Sequence, residues 1–294
     1  MAGAPETPGD LRTIATADGD VSYVVTGAGP SVLAIQGAGV TGRGWRPQVD
    51  RLSTQFRFIT FDNRGTGNNR RGDGELTIER MARDALAIVD AEGVDRLHVI
   101  GHSMGGLVAQ HLALTQRERV KSLALLCTFA DGARATRLSA RMLLLALRSR
   151  IGTRAMRRNG LVRMVMPSGY IREHDRAALA RDLGDLFGRD LADQPPIISE
   201  QLRAMSRYTA LSRLNELSGI PTLVVSARHD PIAPPALGKD IASRIGGARY
   251  VEFEAASHAL PIQFADEVNA LLSDHLWAAE RSPTAVAFSG RIST

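Results

Sequence analysis

Residues Leu97 to Gly106 read L-H-V-I-G-H-S-M-G-G, a short apolar run that meets a glycine-rich turn and continues into an apolar helical stretch, Leu107 to Leu114. Strand, sharp turn and helix form the setting in which G-x-S-x-G acts as a nucleophile elbow, and Gly101-His102-Ser103-Met104-Gly105 matches that pattern. The serine of such a turn takes a strained backbone conformation, so the residues two before and two after it must be small for strand and helix to meet. Gly101 and Gly105 meet that condition, and Ser103 is the candidate nucleophile. Five residues recur by chance in many chains, so the elbow is diagnostic only together with a base, an acid and an oxyanion hole in consistent order.

Toward the N-terminus, Leu11 to Ala15 and Val21 to Val25 flank an Asp-Gly turn and predict a hairpin. Ser31 to Ile35 is a continuous apolar run of the kind found in a strand covered on both faces, and it leads into Gln36-Gly37-Ala38-Gly39. Elbow-type hydrolases place one oxyanion donor in this loop and the other on the residue after the nucleophile, which assigns the backbone N–H groups of Ala38 and Met104. A helix is expected over Trp45 to Ser53, a strand over Phe56 to Phe61, and a helix from Thr77, its N-cap, to Ala91. Between them D-N-R-G-T-G at 62 to 67 lacks a following Gly-Lys-Ser/Thr and is no nucleotide loop; Arg64 is expected to tie the loop to Asp62 or to backbone carbonyls.

Val120 to Cys127 is the strand after the elbow helix. Strands that alternate with helices at this spacing imply right-handed βαβ units, hence an α/β fold with a mostly parallel eight-stranded sheet flanked by helices. From Asp131 the pattern changes to helices at about 137–150, 153–165, 172–188 and 196–208, and strands resume at Ile220 to Ala227 and Arg249 to Phe253. The expected organisation is a core of 11–130 and 209–280, a helical cap inserted at 131–208, a flexible N-terminus at 1–10 and a disordered tail at 281–294.

Asp230 follows the strand after the cap, and His258 lies on the loop before a final helix expected over Pro261 to Ala278. The order Ser103, Asp230, His258 is that of elbow-type hydrolases. Imidazole with an ordinary pKa near 6.5 can take the serine proton at neutral pH, and the carboxylate fixes its tautomer. Asp131, after the strand that follows the elbow helix, is the rival acid. His229 and His102 are read as structural, and His98, His111, His174 and His275 as packing or surface residues. No metal-ligand spacing is present, and no cofactor is implied.

The chain of 294 residues is 44% hydrophobic and 23% charged, as in an ordinary globular protein. Its single cysteine, Cys127, sits beside an apolar run and reads as a small buried hydrophobe. Without a signal-like N-terminus or an apolar run of about 20 residues, the expectation is a cytoplasmic protein with no membrane partner. The net charge of +5 is carried mainly by arginine, ten of them between Gly132 and Arg172 with no acidic residue, and no aromatic platform accompanies it, so nucleic acid is not an expected partner. Leu138, Met142, Leu145 and Ile151 interleaved with arginines 137, 141, 148 and 150 suggest an apolar pocket beneath a basic exterior.

From about Leu11 to Ala278 the chain resembles the α/β-hydrolase fold, on the strength of Gln36 to Gly39, D-N-R-G-T-G at 62 to 67, G-H-S-M-G-G at 101 to 106, H-D-P-I at 229 to 232 and S-H-A-L at 257 to 260. Within that fold it is similar to cofactor-free esterases and lactonases such as 3-oxoadipate enol-lactonases, and Ile220 to Pro261 resembles aclacinomycin-type methylesterases. It departs from the common pattern at Gln36, where many members carry histidine, and at Ala256, where many carry glycine. Serine at the elbow, in place of the aspartate of epoxide hydrolases and haloalkane dehalogenases, disfavours those activities. The resemblance implies a serine hydrolase acting on a small-to-medium hydrophobic ester or lactone, anionic or neutral, as a monomer or homodimer. A triad-retaining small-molecule receptor and a haloperoxidase-like or C–C bond hydrolase are the alternatives.

Overall fold

A computed structural model describes residues 9–136 and 140–281; the expectations for residues 1–8, 137–139 and 282–294 fall outside them. Eight strands, β1 (Asp10–Ile14), β2 (Val21–Thr26), β3 (Ser31–Ile35), β4 (Arg57–Phe61), β5 (Leu97–His102), β6 (Val120–Leu126), β7 (Thr222–Ala227) and β8 (Arg249–Phe253), form one sheet in the order β1-β2-β4-β3-β5-β6-β7-β8. β2 runs antiparallel to both of its neighbours, and every pair from β4 to β8 is parallel. The helices among the described residues are α1 (Arg46–Leu52), α2 (Ile78–Ala91), α3 (Met104–Thr115), α4 (Gly132–Ala135), α5 (Ala140–Arg148), α6 (Arg154–Val165), α7 (Ser168–Glu173), α8 (Arg176–Phe187), α9 (Ile198–Ser206), α10 (Pro235–Arg244), α11 (Leu260–Gln263) and α12 (Ala265–Arg281).

The period of two in a strand divides the core. Leu33 and Ile35 of β3 pack with Val99, Leu125 and the apolar faces of α2, α3 and α10, while Val32 and Ala34 pack with Ile100, Leu126 and α1 and α12 on the other side. Because both faces are covered, the central strands read as unbroken apolar runs. Between β6 and β7 the chain is helical, and α6 to α8 build a core of their own around Leu161, Val165, Leu183 and Phe187 that closes over Val40 and Ala259. Those two residues follow β3 and β8, so the helical layer lies against loops at the carboxyl end of the sheet.

Several boundaries differ from expectation for local reasons. Asp10, expected in a flexible end, opens β1. The helix expected over 172–188 is broken, because the Asp175 carboxylate accepts the Ala178 N–H and starts α8 as its N-cap. The final helix is interrupted at Phe264, which leaves helical geometry between α11 and α12. Ile151, read as a pocket residue, is 61% exposed, whereas Met142 is buried.

Arg64 reaches backbone carbonyls, one of its two expected kinds of partner, but the carboxylate it binds is Asp84 and not Asp62. Its guanidinium forks onto the Asp84 carboxylate of α2 at 2.7 Å for both contacts and donates to the Asp18 carbonyl of the β1–β2 turn at 2.7 Å. Asp62 instead accepts the N–H groups of Gly42 and Asn68. The Arg64 side chain is 1% exposed, so removal of the carboxylate leaves a buried cation with only neutral oxygens, the Asp18 and Gly19 carbonyls and the Thr16 hydroxyl, as its remaining partners. Asp84→Ala is therefore expected to lower stability by about 3–5 kcal/mol in urea unfolding; a loss below about 1 kcal/mol would show that those oxygens are sufficient.

Candidate active site

The turn after β5 holds Ser103 at φ 54°, ψ −120°, a conformation that non-glycine residues rarely adopt. The expected glycines make it possible. A Cβ at Gly105 would stand 2.1 Å from the Ile35 carbonyl oxygen, and one at Gly101 would stand 2.4 Å from the Gly105 oxygen. Three hydrogen bonds fasten the turn: Ser103 N–H to Leu126 O at 3.1 Å, Gly106 N–H to Ser103 O at 2.9 Å, and Thr128 Oγ1 to Ser103 O at 2.6 Å. The hydroxyl is thereby presented at the carboxyl edge of the sheet.

His258, from the loop after β8, brings Nε2 to 3.0 Å from Ser103 Oγ, and its Nδ1 lies 2.8 Å from Asp230 Oδ2. An ionised carboxylate only accepts, so Nδ1 carries the ring proton and Nε2 accepts from the serine hydroxyl. The other oxygen of Asp230 accepts the N–H groups of Ile232 and Ala233 at 2.8 and 2.9 Å, which locks the carboxylate in the turn after β7. Burial pushes the Asp230 carboxyl up, but His258 and those two N–H groups outweigh it and hold it below the usual carboxylate range. Asp131 stands outside this chain of hydrogen bonds: its Oδ1 accepts the Ala133 and Arg134 N–H groups as the N-cap of α4.

Ala38 lines the same pocket as Ser103, and Met104 opens α3. As the first residue of a helix, Met104 has an N–H without an intrahelical acceptor, and among the described residues the Ala38 N–H donates to no protein carbonyl. The Ala38 loop is held from three sides. Asn63 Nδ2 donates to Gln36 O at 3.0 Å, Gly39 N–H donates to Gln201 Oε1 of α9 at 2.8 Å, and Arg189 Nε donates to Gly39 O at 3.2 Å. Gln36, at the position where histidine was noted as common, points its Oε1 back at the Gly37 N–H.

Of the residues around the site, the sequence reads His102 as structural and does not place Cys127, Thr128, Gln201 and Arg189 there. His102 donates from Nε2 to the His258 carbonyl at 2.9 Å, with its ring 4.9 Å from that of His258 and edge-on to Trp45. Cys127 adopts φ 45° at the end of β6, and burial and the neighbouring Asp230 push its thiol pKa up. The only sequence signal for Cys127 and Thr128 is their position at a strand end. Gln201 and Arg189 lie 162 and 150 residues from Gly39 and have none.

A cavity of about 560 Å³ opens above Ser103 and His258, walled chiefly by Phe129, Met142, Leu161, Val165 and Phe187. Arg150, which the sequence placed on the exterior, and Arg203 also line it. The space is of ordinary size for a small-molecule site and is mostly apolar.

A strained serine at the carboxyl edge of a parallel sheet, facing a histidine and a buried carboxylate from the following strands, defines a hydrolase of the elbow type. Residues 30–265 match the alpha/beta hydrolase fold family, and the chain belongs to it. It is 30% identical over 259 residues to a protein of Azorhizobium caulinodans named as a carbamate hydrolase, RutD, spanning 87% of this chain and 94% of that one. It is also 31% identical over 283 residues to the rhodomycin D methylesterase DauP of Streptomyces sp. strain C5, spanning 84% and 91% of the two chains. Among solved structures, the enol-lactonase of Burkholderia xenovorans LB400 superposes with a TM-score of 0.75 at 26% identity, spanning 90% of this chain and all of that one.

Burial lowers four of the histidines: His111, and more strongly His98 to about 4, His275 to about 4 and His102 to about 3. The unfolded chain binds these protons near pH 6.5 and the folded one only well below, so between about pH 6.5 and 4 the unfolded state holds more of them. Stability is then complete above pH 6.5 and falls as pH drops through that window. Urea titrations at successive pH values are expected to show uptake of at least about three protons on unfolding at pH 5. A flat stability profile from pH 7 to 5 would contradict the depressed values.

Proposed function

We propose that this protein cleaves a carboxylic ester or lactone through an acyl-enzyme on Ser103, with His258 as general base and acid and Asp230 as its orienting carboxylate. The observation that carries the proposal is the unbroken hydrogen-bonded chain from Ser103 Oγ through both nitrogens of His258 to Asp230, open to an apolar cavity. His258 Nε2 takes the hydroxyl proton as Oγ attacks the acyl carbon. The Ala38 and Met104 N–H groups hold the oxyanion, each worth roughly 3 kcal/mol. The imidazolium then gives its proton to the leaving alkoxide, and water activated by the same nitrogen releases the acid. In a lactone the alkoxide stays attached through the acyl chain, and hydrolysis yields a single hydroxy acid.

The apolar wall supports a small-to-medium hydrophobic substrate, and the names of the relatives support esters, lactones or carbamates as the bond class. Arg150 and Arg203 on the lining favour a substrate that carries a negative charge away from the scissile bond.

Ser103→Ala is expected to reduce kcat on aryl esters by at least about 10⁴-fold and to abolish labelling by a fluorophosphonate probe. Asp230→Asn is expected to lose about 10⁴-fold through loss of the correct tautomer, with Asp131→Asn within about twofold of wild type. Absence of turnover across a panel of methyl esters, aryl esters, lactones and carbamates, together with tight binding of one of them, would replace the enzyme with a receptor.

A further inference from the structure

Among the described residues seven large apolar side chains are exposed, and five of them, Leu143, Leu144, Leu147, Ile151 and Met156, lie between the middle of α5 and the start of α6. Isolated exposed leucines need no explanation, but a contiguous patch marks a surface that something covers. α5 is apolar on two sides. Met142 and Ala146 line the active-site cavity, while Leu143, Leu144 and Leu147 face outward.

The outward face adjoins a second, separate cleft of about 350 Å³, lined by Leu144, Leu145 and Ile171 together with Arg148, Arg163, Arg172 and Arg176. Nearby Arg154 and Arg158 are engaged by Asp190, and Arg154 also by Asp193. Among the described residues the four arginines of the cleft form no ion pair with a carboxylate. This is the segment in which ten arginines occur with no acidic residue from Gly132 to Arg172.

The chemistry of the patch selects its occupant. A second copy of this chain would lay the patch on itself across a two-fold axis and bring the same unpaired arginines face to face. A nucleic acid would meet the arginines and leave the exposed leucines without a partner, since none of the exposed large hydrophobics of the patch is aromatic and the nearby Tyr170 ring is already stacked on His174. An anionic lipid surface satisfies both, with acyl chains for the leucines and phosphate groups for the arginines.

We propose that this face of the cap docks on an anionic lipid surface, with Leu143, Leu147 and Ile151 entering the acyl boundary and the four-arginine cleft taking a lipid phosphate. The protein lies on such a surface and does not cross it: no helix of the described residues is long and apolar enough to span a membrane. The proposal departs from the expectation of no membrane partner, which weighed spanning segments and leaders only. It places the roof of the cavity against the lipid and does not depend on the chemistry of Ser103.

The test is co-sedimentation of the full chain with vesicles of phosphatidylcholine alone and of phosphatidylcholine with phosphatidylglycerol, at low and high salt. Retention is expected on the phosphatidylglycerol vesicles, weakened by salt, and Ser103→Ala should bind equally. Leu143→Ser with Leu147→Ser, and separately Arg163→Gln with Arg172→Gln, should each cut retention at least about tenfold while the melting curve followed by circular dichroism stays unchanged. Failure of the wild-type chain to sediment with phosphatidylglycerol overturns the proposal, as does binding that survives either pair of substitutions. Release by millimolar inorganic phosphate would reassign the cleft to a free anion, and a dimer that the leucine pair dissociates in sedimentation velocity, without vesicle binding, would reassign the patch to self-association.

Discussion

A serine forced to φ 54° is the constraint from which the site geometry follows. Such a conformation costs on the order of 1–3 kcal/mol and persists only where its surroundings leave no alternative. Here the alternatives are removed by contact. Strand β5 is paired on both sides, α3 begins at the next residue, and the Ile35 carbonyl stands where a side chain at position 105 would have to go. Leu126 of the neighbouring strand and Thr128, two residues beyond it, hold the serine backbone through its N–H and its carbonyl. The strain is thus absorbed by the sheet itself, and Oγ can point only outward from its edge.

The facing groups are held by a different kind of constraint. Asp230 has donors on both oxygens: His258 on one and two backbone N–H groups on the other. A buried carboxylate is tolerated only when so satisfied, and here its donors more than offset the cost of burial. His258 is fixed at its ring by Asp230 and at its carbonyl by His102, so the residue just before Ser103 sets the position of the imidazole. The loop of Ala38 is drawn toward the cap by Gln201 and Arg189. Cap and core are therefore joined through the loop that carries one of the two N–H groups assigned to an oxyanion.

The cap has two sides with opposite demands. Its inner core of leucines and Phe187 packs on loops of the sheet, and its outer surface carries leucines and arginines together. That arrangement explains why Ile151 and Arg150 stand opposite to their sequence reading. On a short helix followed by a turn at Gly152, which has φ 106°, the apolar periodicity does not continue past Arg148, and spacing no longer predicts which residue faces in.

Much of this was legible in the chain because it rests on local rules. Alternating apolar runs and helical spacings determined a parallel α/β sheet, two glycines flanking a serine determined the elbow, and the positions of Asp230 and His258 just past strand ends marked them as partners. The sequence chose Asp230 over Asp131 by context alone, since both follow strands; only the tertiary structure showed that Asp230 has an imidazole within reach and that Asp131 caps a helix. It alone supplied Arg64–Asp84, Gln201 on Gly39 and the four-arginine cleft. Contacts between residues tens to more than a hundred positions apart carry no periodic or turn signal, because nothing in the local backbone chemistry of either partner requires the other.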